Sequence, residues 1–481
     1  MKARESALLA VATGATVGLT AAFLRAPNVL FADSGELLTA VATKGVAHPP
    51  GFPLYLLLGG LFLDLTGGAG PSAASRLNLF SALSTGVAAA FAVLAALVAI
   101  ERTALAGNLD TASRRVLAVL AGLLCGFGPT LFDFSLGTEV YGLHAAFLAA
   151  ALASALAAGN PGRTPRDASR LTFLTGLAVG CGLGVHHATM VVMMPGLAVL
   201  LWGVDERPAR LRRVGLFAAG LVPGLLTYAV LPIRAAGWPA LNWGNPSNPF
   251  RFWVHISARD YQVNIENDLG TILEHAARFL DSYRAEFTIA GLVLALLAGA
   301  LIRGAGRLAV PGLFVVLLGD IAFAVRYEIA EDQAAYYIPT FIATSILVVL
   351  GTAAVAARFE SLPRRRALVG TVTALALVLV VWNVKQKAGR RFDDRAVEAA
   401  RNAFASIPEG ALVFTAEWNL YAPMVGLRQV AGERRDAILI DVLLLRRGWY
   451  LDAWKRKYPE RHAEIATDFD TYRTRLADWE E

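Results

Sequence analysis

Charge is scarce in this sequence. Asp, Glu, Lys and Arg make up 17% of its 481 residues, against roughly 25% in a soluble chain. That shortage, with 56% hydrophobic residues and a mean hydropathy of +0.51, excludes a large soluble enzyme. It also excludes disorder and collagen-like repeats. Cysteine is nearly missing: Cys125 and Cys181 both lie inside apolar runs and support neither a disulfide framework nor a metal site. There is no Walker loop, no Rossmann fingerprint and no internal repeat. The formal net charge of +6 invites a nucleic-acid partner. Its distribution rejects one, because the cations come in short clusters between apolar runs, as membrane topology demands. The remaining class is an all-α polytopic membrane protein.

A span needs about 20 mostly apolar residues to cross a hydrocarbon core ~30 Å thick. The candidates are Ser6–Leu24, Leu77–Ile100, Val116–Leu131, Tyr141–Ala158, Leu171–Val185 and Ala188–Val204. They continue with Val214–Ile233, Phe287–Ile302, Leu308–Val325, Tyr337–Ala357 and Ala367–Val384, about eleven transmembrane helices in all. Phe52–Leu65 is too short, and the charges say how to treat it. If it does not span, one alternating set of loops holds Lys2/Arg4, Arg102/Arg114/Arg115, Arg163/Arg166/Arg170, Arg207/Arg210/Arg212/Arg213, Arg303/Arg307 and Arg358/Arg364/Arg365/Arg366. The other set holds Phe132–Val140, His186–His187 and the acidic turn Glu328–Asp332. The positive-inside rule puts the first set in the cytoplasm. Phe52–Leu65 then lies on or dips into the outer face, and the N-terminus is cytoplasmic. Ser6–Leu24 follows its two cations like a signal peptide, but it is as long as a span and no cleavage is expected.

The outer face receives the loops 25–76 and 234–286 and the tail. The chain therefore reads as a transmembrane domain over 1–384 and a small α/β extracytoplasmic domain over 385–481. The tail is charged and alternates. Its patterns predict a helix around Arg395–Ala405, a strand at Ala411–Thr415 and a helix near Tyr421–Val430. A strand at Ala437–Val442 and a helix around Trp449–Lys457 complete a βαβ-like core.

Polar residues that can do chemistry gather in the outer segments. The first loop carries Asp33-Ser-Gly-Glu36 and His48-Pro-Pro-Gly51. Asp33 and Glu36 have capping-box spacing, so Asp33 either caps a short interfacial helix or serves as a base, and the two roles are compatible. His48 is a turn residue or part of a cleft wall stiffened by Pro49 and Pro50. In the second loop Thr138 is a plausible N-cap and Glu139 a first-turn acid; Tyr141 and His144 share a helix face. His186-His187 sits between two spans, where ionisable residues usually have a function. Adjacent histidines on a helix point apart, which argues against a metal pair and for phosphate contact or a structural hydrogen bond. Arg234 holds a phosphate or snorkels to headgroups. Trp243 is an interfacial anchor or a stacking platform for a sugar ring.

In order, these motifs resemble a known family. Asp33-Ser-Gly-Glu36, His48-Pro-Pro-Gly51, Thr138-Glu-Val-Tyr141, Gly184-Val-His-His187, Leu231-Pro-Ile-Arg-Ala235 and Asn242-Trp-Gly244, with the tail segment Arg434–Tyr450, resemble the transmembrane protein O-mannosyltransferase-like family. That family is a branch of the GT-C glycosyltransferases. The resemblance implies a hexosyltransferase that inverts the sugar's configuration. It implies a polyprenyl-phosphate sugar donor, with mannose the candidate sugar, and an extracytoplasmic protein or glycan acceptor. It implies Asp33 as general base with Glu36 beside it. His48, Glu139, Tyr141, His186, His187, Arg234 and Trp243 become candidates for donor and substrate binding. No metal or other cofactor is expected, because Arg and His can neutralise one phosphate. The Ala-, Arg- and Gly-rich composition suggests a bacterium and hence its inner membrane. Two other readings are a transporter or flippase for a lipid-linked substrate and a non-catalytic membrane scaffold. A transporter should show broken helices, paired repeats and midplane charges, for which Asp320 is the one candidate.

The charge pattern yields a first test. In a background with Cys125 and Cys181 replaced by Ser, Gly68→Cys and Glu481→Cys should both react with an impermeant maleimide added outside the cell. Protection at either position sinks the topology.

Overall fold

The computed structural model describes residues 3–67, 71–103, 105–201, 207–302, 308–329 and 332–480. Lys2, Arg303, Arg307, the centre of the acidic turn (330–331), the end of the run Ala188–Val204, and Gly68 and Glu481 lie outside the described residues. The chain divides into two compact units. One comprises Met1–Arg25, Asn78–Thr227 and Tyr261–Phe392; the other comprises Ala26–Leu77, Tyr228–Asp260 and Asp393–Glu481.

The first unit is helical. Its long helices are Ala3–Leu24, most of Ala73–Arg102, Thr111–Phe127, Tyr141–Ala158, Pro165–Leu183 and His187–Leu201, followed by Arg207–Leu226, Leu269–Leu301, Ala309–Ala324, Ile338–Ala356 and Leu362–Lys387. Each overlaps an expected apolar run. Seven helices among the described residues are long and apolar enough to cross a membrane, whereas His187–Leu201 and Ala309–Ala324 are apolar but shorter. Burial follows the apolar pattern. Ile338–Ala356 is apolar all round and almost wholly buried, as a helix at the centre of a bundle must be. Ala3–Leu24 leaves Leu8, Val11, Leu19 and Phe23 exposed, and Leu362–Lys387 leaves Leu375, Val378, Val381 and Trp382 exposed. Such faces suit lipid, where apolar side chains cost nothing by facing outward.

Four expected boundaries are corrected. Val214–Ile233 is not one helix: the helix Arg207–Leu226 gives way to a 3-10 turn over Thr227–Ala229, and the last residues of the run open the short helix Val230–Ala236. Val116–Leu131 is not one run: the helix Thr111–Phe127 stops at Gly128, and Pro129 starts a short helix to Phe134. Proline lacks the N–H that would continue the ladder. Leu171–Val185 starts earlier, at Pro165, because the Thr164 hydroxyl caps that end by accepting the Asp167 N–H at 3.2 Å. Phe287–Ile302 is only the second half of Leu269–Leu301, which begins at an Asp268 cap and kinks at Thr288, φ 61°. Glu274, Arg278, Asp281 and Arg284 hid the first half from a hydropathy reading, so the loop 234–286 is largely helical.

In the second unit, Phe52–Leu65 becomes the helix Pro53–Leu65, 13 residues, or about 20 Å at 1.5 Å per residue. The tail forms helix Arg395–Ala405, strand β1 Leu412–Thr415, helix Trp418–Gly426, strand β2 Ile438–Asp441 and helix Gly448–Lys457. β1 and β2 pair in parallel, Leu412 opposite Ile438 and Thr415 opposite Asp441. The crossover helix between them fits a βαβ unit. Ile438, Ile440, Leu451, Trp454 and Phe469 form its core. This tail belongs to the same unit as 26–77 and 228–260.

Helices in the first unit meet through small residues. A Cβ on Gly86 would lie 2.6 Å from the Gly14 carbonyl and 3.0 Å from Gly18 Cα. Lipid offers no hydrophobic drive for helix association, so close backbone packing carries it. Gly86→Leu should therefore destabilise the protein in detergent by roughly 1–3 kcal/mol, read as a lowered thermal midpoint. Gly370→Ala, with nothing within 4 Å, should not. Equal midpoints for the two variants would disprove the packing argument.

Candidate functional site

In the second unit, Asp33 occupies the N-cap position of helix Ser34–Ala42, yet its carboxylate makes no capping bond. Instead Oδ1 accepts the indole Nε1–H of Trp418 at 2.8 Å. Oδ2 lies 3.6 Å from His48 Nε2. The capping alternative for the side chain is therefore not what the structure adopts. The residue before it, Ala32, is held at φ 60°, a conformation that costs a non-glycine residue about 1–3 kcal/mol. Its N–H donates to Asn419 Oδ1 at 2.8 Å. Trp418 and Asn419 open a helix of the tail, so two adjacent tail side chains hold Ala32 and Asp33.

Glu36, 1% exposed, does not reach back to the helix start either. Its Oε1 accepts the His48 backbone N–H at 2.8 Å and its Oε2 lies 3.0 Å from His48 Nδ1. A carboxylate only accepts, so it fixes the proton on Nδ1. That leaves Nε2 turned to Asp33. The result is a chain of three titratable groups, Glu36–His48–Asp33.

The backbone that delivers His48 is paired to the middle loop. Val46 N–H donates to Leu241 O at 2.9 Å and Trp243 N–H to Val46 O at 3.2 Å. The Trp243 ring lies 6.1 Å from His48, 5.7 Å from Trp418 and 5.9 Å from Trp449. Arg234, near the end of helix Val230–Ala236, donates from Nη1 to the Gly45 carbonyl at 3.1 Å; its other N–H groups have no hydrogen bond among the described residues. Gly51 at φ +90° and Gly244 at φ +69° flank the His255 ring; a Cβ on either would lie under 3 Å from it. His255 is 1% exposed, and burial with the nearby His48 charge pushes its pKa down to about 3. The ring is a neutral wedge that sets the spacing of two glycine turns.

Glu139, Tyr141, His186 and His187 belong to the first unit. Tyr141 donates to Asp332 Oδ2 at 3.0 Å, and its ring lies 5.7 Å from His186. His186 also packs on His144 and Tyr336, each at 5.1 Å. Thr189 Oγ1 sits 2.7 Å from His144 Nε2 and 3.1 Å from His186 Nδ1. Thr138 does not cap the following helix: its hydroxyl donates to Asn78 Oδ1 at 2.6 Å, and the N-cap position falls to Val140. Glu139 is buried, its backbone locked to Ser81. His187 begins the next helix and is half-buried.

Sequence reasoning missed Trp418, Asn419 and His255. The first two carry a weak signal, a tryptophan and an amide at the start of a tail helix. His255 carries none, since only the closeness of two glycines reveals it.

The chain is similar to known proteins in sequence and in fold. Residues 33–208 match the family model described as Protein O-mannosyl-transferase TMEM260 N-terminal domain. The chain is 23% identical over 460 residues to Protein O-mannosyl-transferase TMEM260 of Mus musculus, covering 89% of this chain and 62% of that protein. It is 21% identical over 250 residues to its Dictyostelium discoideum counterpart, covering 49% of this chain and 28% of that protein. The fold is similar to that of ArnT from Cupriavidus metallidurans bound to undecaprenyl phosphate. That match has a TM-score of 0.59 and 13% identity and covers 93% of this chain and 92% of that one. The Archaeoglobus fulgidus oligosaccharyltransferase aligns with a TM-score of 0.55 and 14% identity over 90% of this chain and 61% of that one. The chain is thus a multi-pass membrane protein whose fold is similar to that of these two structures.

His255 gives a pH test. Its folded pKa of about 3 lies below the unfolded value of ~6.5. The unfolded state therefore binds the proton first, and stability falls as pH drops below ~6.5 and keeps falling toward 3. Acidifying from pH 7 to 5 should cost about 2 kcal/mol from this group, measured by denaturation of the purified protein. His255→Gln should start less stable and show a flatter slope; an unchanged slope refutes the assignment.

Proposed function

We propose that this chain, a member of the O-mannosyltransferase-like GT-C family, moves a sugar from a polyprenyl-phosphate donor to an acceptor hydroxyl outside the cytoplasm, with Asp33 as general base. The relatives' names point to mannose as the sugar and a protein as the acceptor; a glycan is the alternative acceptor. The chain covers 62% of its mouse relative's length, so activity and partners are inferred for this chain on its own residues. One observation carries the reading: the Asp33 carboxylate makes no bond to its own helix, and Trp418 fixes one of its oxygens. The second oxygen is left beside His48 at 3.6 Å.

The chemistry follows from those contacts. Asp33 takes the proton of the acceptor hydroxyl as its oxygen attacks the anomeric carbon from the face opposite the phosphate. The carbon–oxygen bond to phosphate breaks, the configuration inverts, and polyprenyl phosphate leaves with the bonding pair. The single hydrogen bond from Trp418 orients the carboxylate without satisfying both oxygens. His48, its tautomer set by Glu36, supplies a neighbour that can share the proton once Asp33 has taken it. Arg234, with unspent donors, is the candidate for the leaving phosphate. Glu139, Tyr141, His186 and His187 remain candidates for donor binding. In this reading the enzyme sits in the inner membrane with the second unit outside.

A panel of polyprenyl-phosphate sugars offered to the purified protein, with products read by mass spectrometry, tests the transfer. Asp33→Asn keeps an oxygen for the Trp418 indole and removes the proton acceptor. It should fold normally, bind donor and lose transfer by roughly 10²–10⁴-fold. A well-folded Asp33→Asn protein with full activity would move the base elsewhere.

A further inference from the structure

The second unit holds a cavity of about 300 Å³. Trp243, Tyr421, Trp449, Tyr450, Trp454 and Asn242 are among its walls, with Arg456 and Lys457 also contributing. That volume is at the lower end of small-molecule sites. It matches a single ring with substituents better than a lipid chain or a helix.

The cavity is joined to Asp33 by direct ring contacts. Trp418, which donates to Asp33, lies 5.7 Å from Trp243 and 5.8 Å from Tyr421, and both of these line the cavity. Trp243 also lies 6.1 Å from His48. The wall chemistry is specific. Aromatic faces dominate, and their negative quadrupole attracts the polarised C–H face of a pyranose as it attracts other positive edges. Asn242 and the two cations provide hydrogen-bonding groups for hydroxyls. Arg456 stacks over Trp238 at 4.8 Å and Lys457 over Tyr458 at 5.7 Å. No Asp or Glu is among the lining residues, so the cavity repels neither a neutral sugar nor one that carries phosphate.

We propose that this cavity is a hexopyranose subsite. The proposal rests on the reading of the chain as a sugar transferase and adds the place where a sugar ring is held against Trp243 and Trp449. The ring has two sources with the same chemistry: the sugar of the lipid-linked donor, or a sugar already present on the acceptor.

The test uses the full-length protein in detergent. Methyl α-mannopyranoside is titrated while tryptophan fluorescence and saturation-transfer NMR of the sugar are followed. Saturable binding is expected in the wild type. Ala453→Phe fills the cavity from the wall position Ala453, and Trp449→Leu keeps an apolar side chain at position 449 but removes the aromatic face. Both should weaken binding by about tenfold or more. Two variants of opposite design guard against loss of fold in one of them. Asp33→Asn should bind the sugar as the wild type does. Competition then separates the sources: displacement by polyprenyl-phosphate mannose assigns the cavity to the donor sugar, and undiminished binding in its presence assigns it to the acceptor. No saturable binding in a protein whose transfer depends on Asp33 overturns the subsite alone. So does binding that survives both cavity variants, or quenching by an acceptor peptide but not by any hexose. Sugar binding that both variants weaken, in a protein that transfers nothing, overturns the function and leaves the subsite standing.

Discussion

A hydrogen bond that spans 385 positions of sequence, from the Trp418 indole to the Asp33 carboxylate, organises the second unit. An indole can only donate and a carboxylate can only accept, so the pair leaves no ambiguity of direction. With a charged acceptor such a bond is stronger than a neutral one. The neighbouring bond from Ala32 N–H to Asn419 Oδ1 holds the backbone in the left-handed region just ahead of Asp33. The two together fix where helix Ser34–Ala42 begins and which way its first carboxylate points. A cap would have turned Asp33 back onto its own helix. The tail turns it outward.

A second constraint places the partner of that carboxylate. The ring of His255 is held where Gly51 and Gly244 come close, and neither position has room for a Cβ. The two turns belong to the stretches His48–Gly51 and Asn242–Gly244, and the backbone bonds between Val46 and Leu241–Trp243 lock the same two stretches. His48 is therefore delivered by a rigid double turn, with Glu36 fixing its ring from one side. Replacing either glycine would displace His255, and through it the residue that faces Asp33. The motif glycines are thus packing requirements that serve a polar site several residues away.

Much of this was legible in the sequence, for identifiable reasons. Spans are legible because the bilayer imposes a length and an apolarity that few other structures need. The tail elements are legible because their alternation is short-range: the helix Arg395–Ala405 was expected and found over the same residues. Boundaries failed where a local feature outweighed hydropathy, at Gly128-Pro129 and in the charged first half of Leu269–Leu301. The site was only half legible. Asp33, Glu36, His48, Arg234 and Trp243 stood out as polar or aromatic residues beside apolar runs. Cap and base were indistinguishable, because capping-box spacing is the same whichever way the side chains turn. What excludes the side-chain cap lies in the tail, at a sequence distance where no pattern rule operates. The grouping of that tail with 26–77 and 228–260 was hidden for the same reason.

The acids within the helices of the first unit bear on the competing transport reading. Asp320 is fully buried, and its Oδ2 accepts both the backbone N–H and the hydroxyl of Thr340, at 3.0 and 2.7 Å. Glu286 is buried too, and its Oε1 accepts the Thr130 N–H at 2.9 Å. In each case the donor follows a proline, Pro339 or Pro129, in the first turn of another helix. The first turn of a helix has N–H groups with no partner of their own, and they carry partial positive charge. A buried carboxylate and a buried helix start are each costly alone, and joined they offset part of each other's cost. Asp320, the one residue that favoured a transporter, is therefore accounted for as a tie between Ala309–Ala324 and Ile338–Ala356. Both donors reach the same oxygen and leave Oδ1 without a partner among the described residues, but the residue is wholly buried and so poorly placed to pick up and release an ion. Asp33 differs from it in access: 21% of its side chain is exposed, with Oδ2 beside His48 at 3.6 Å, so an arriving hydroxyl can reach it without the helices parting.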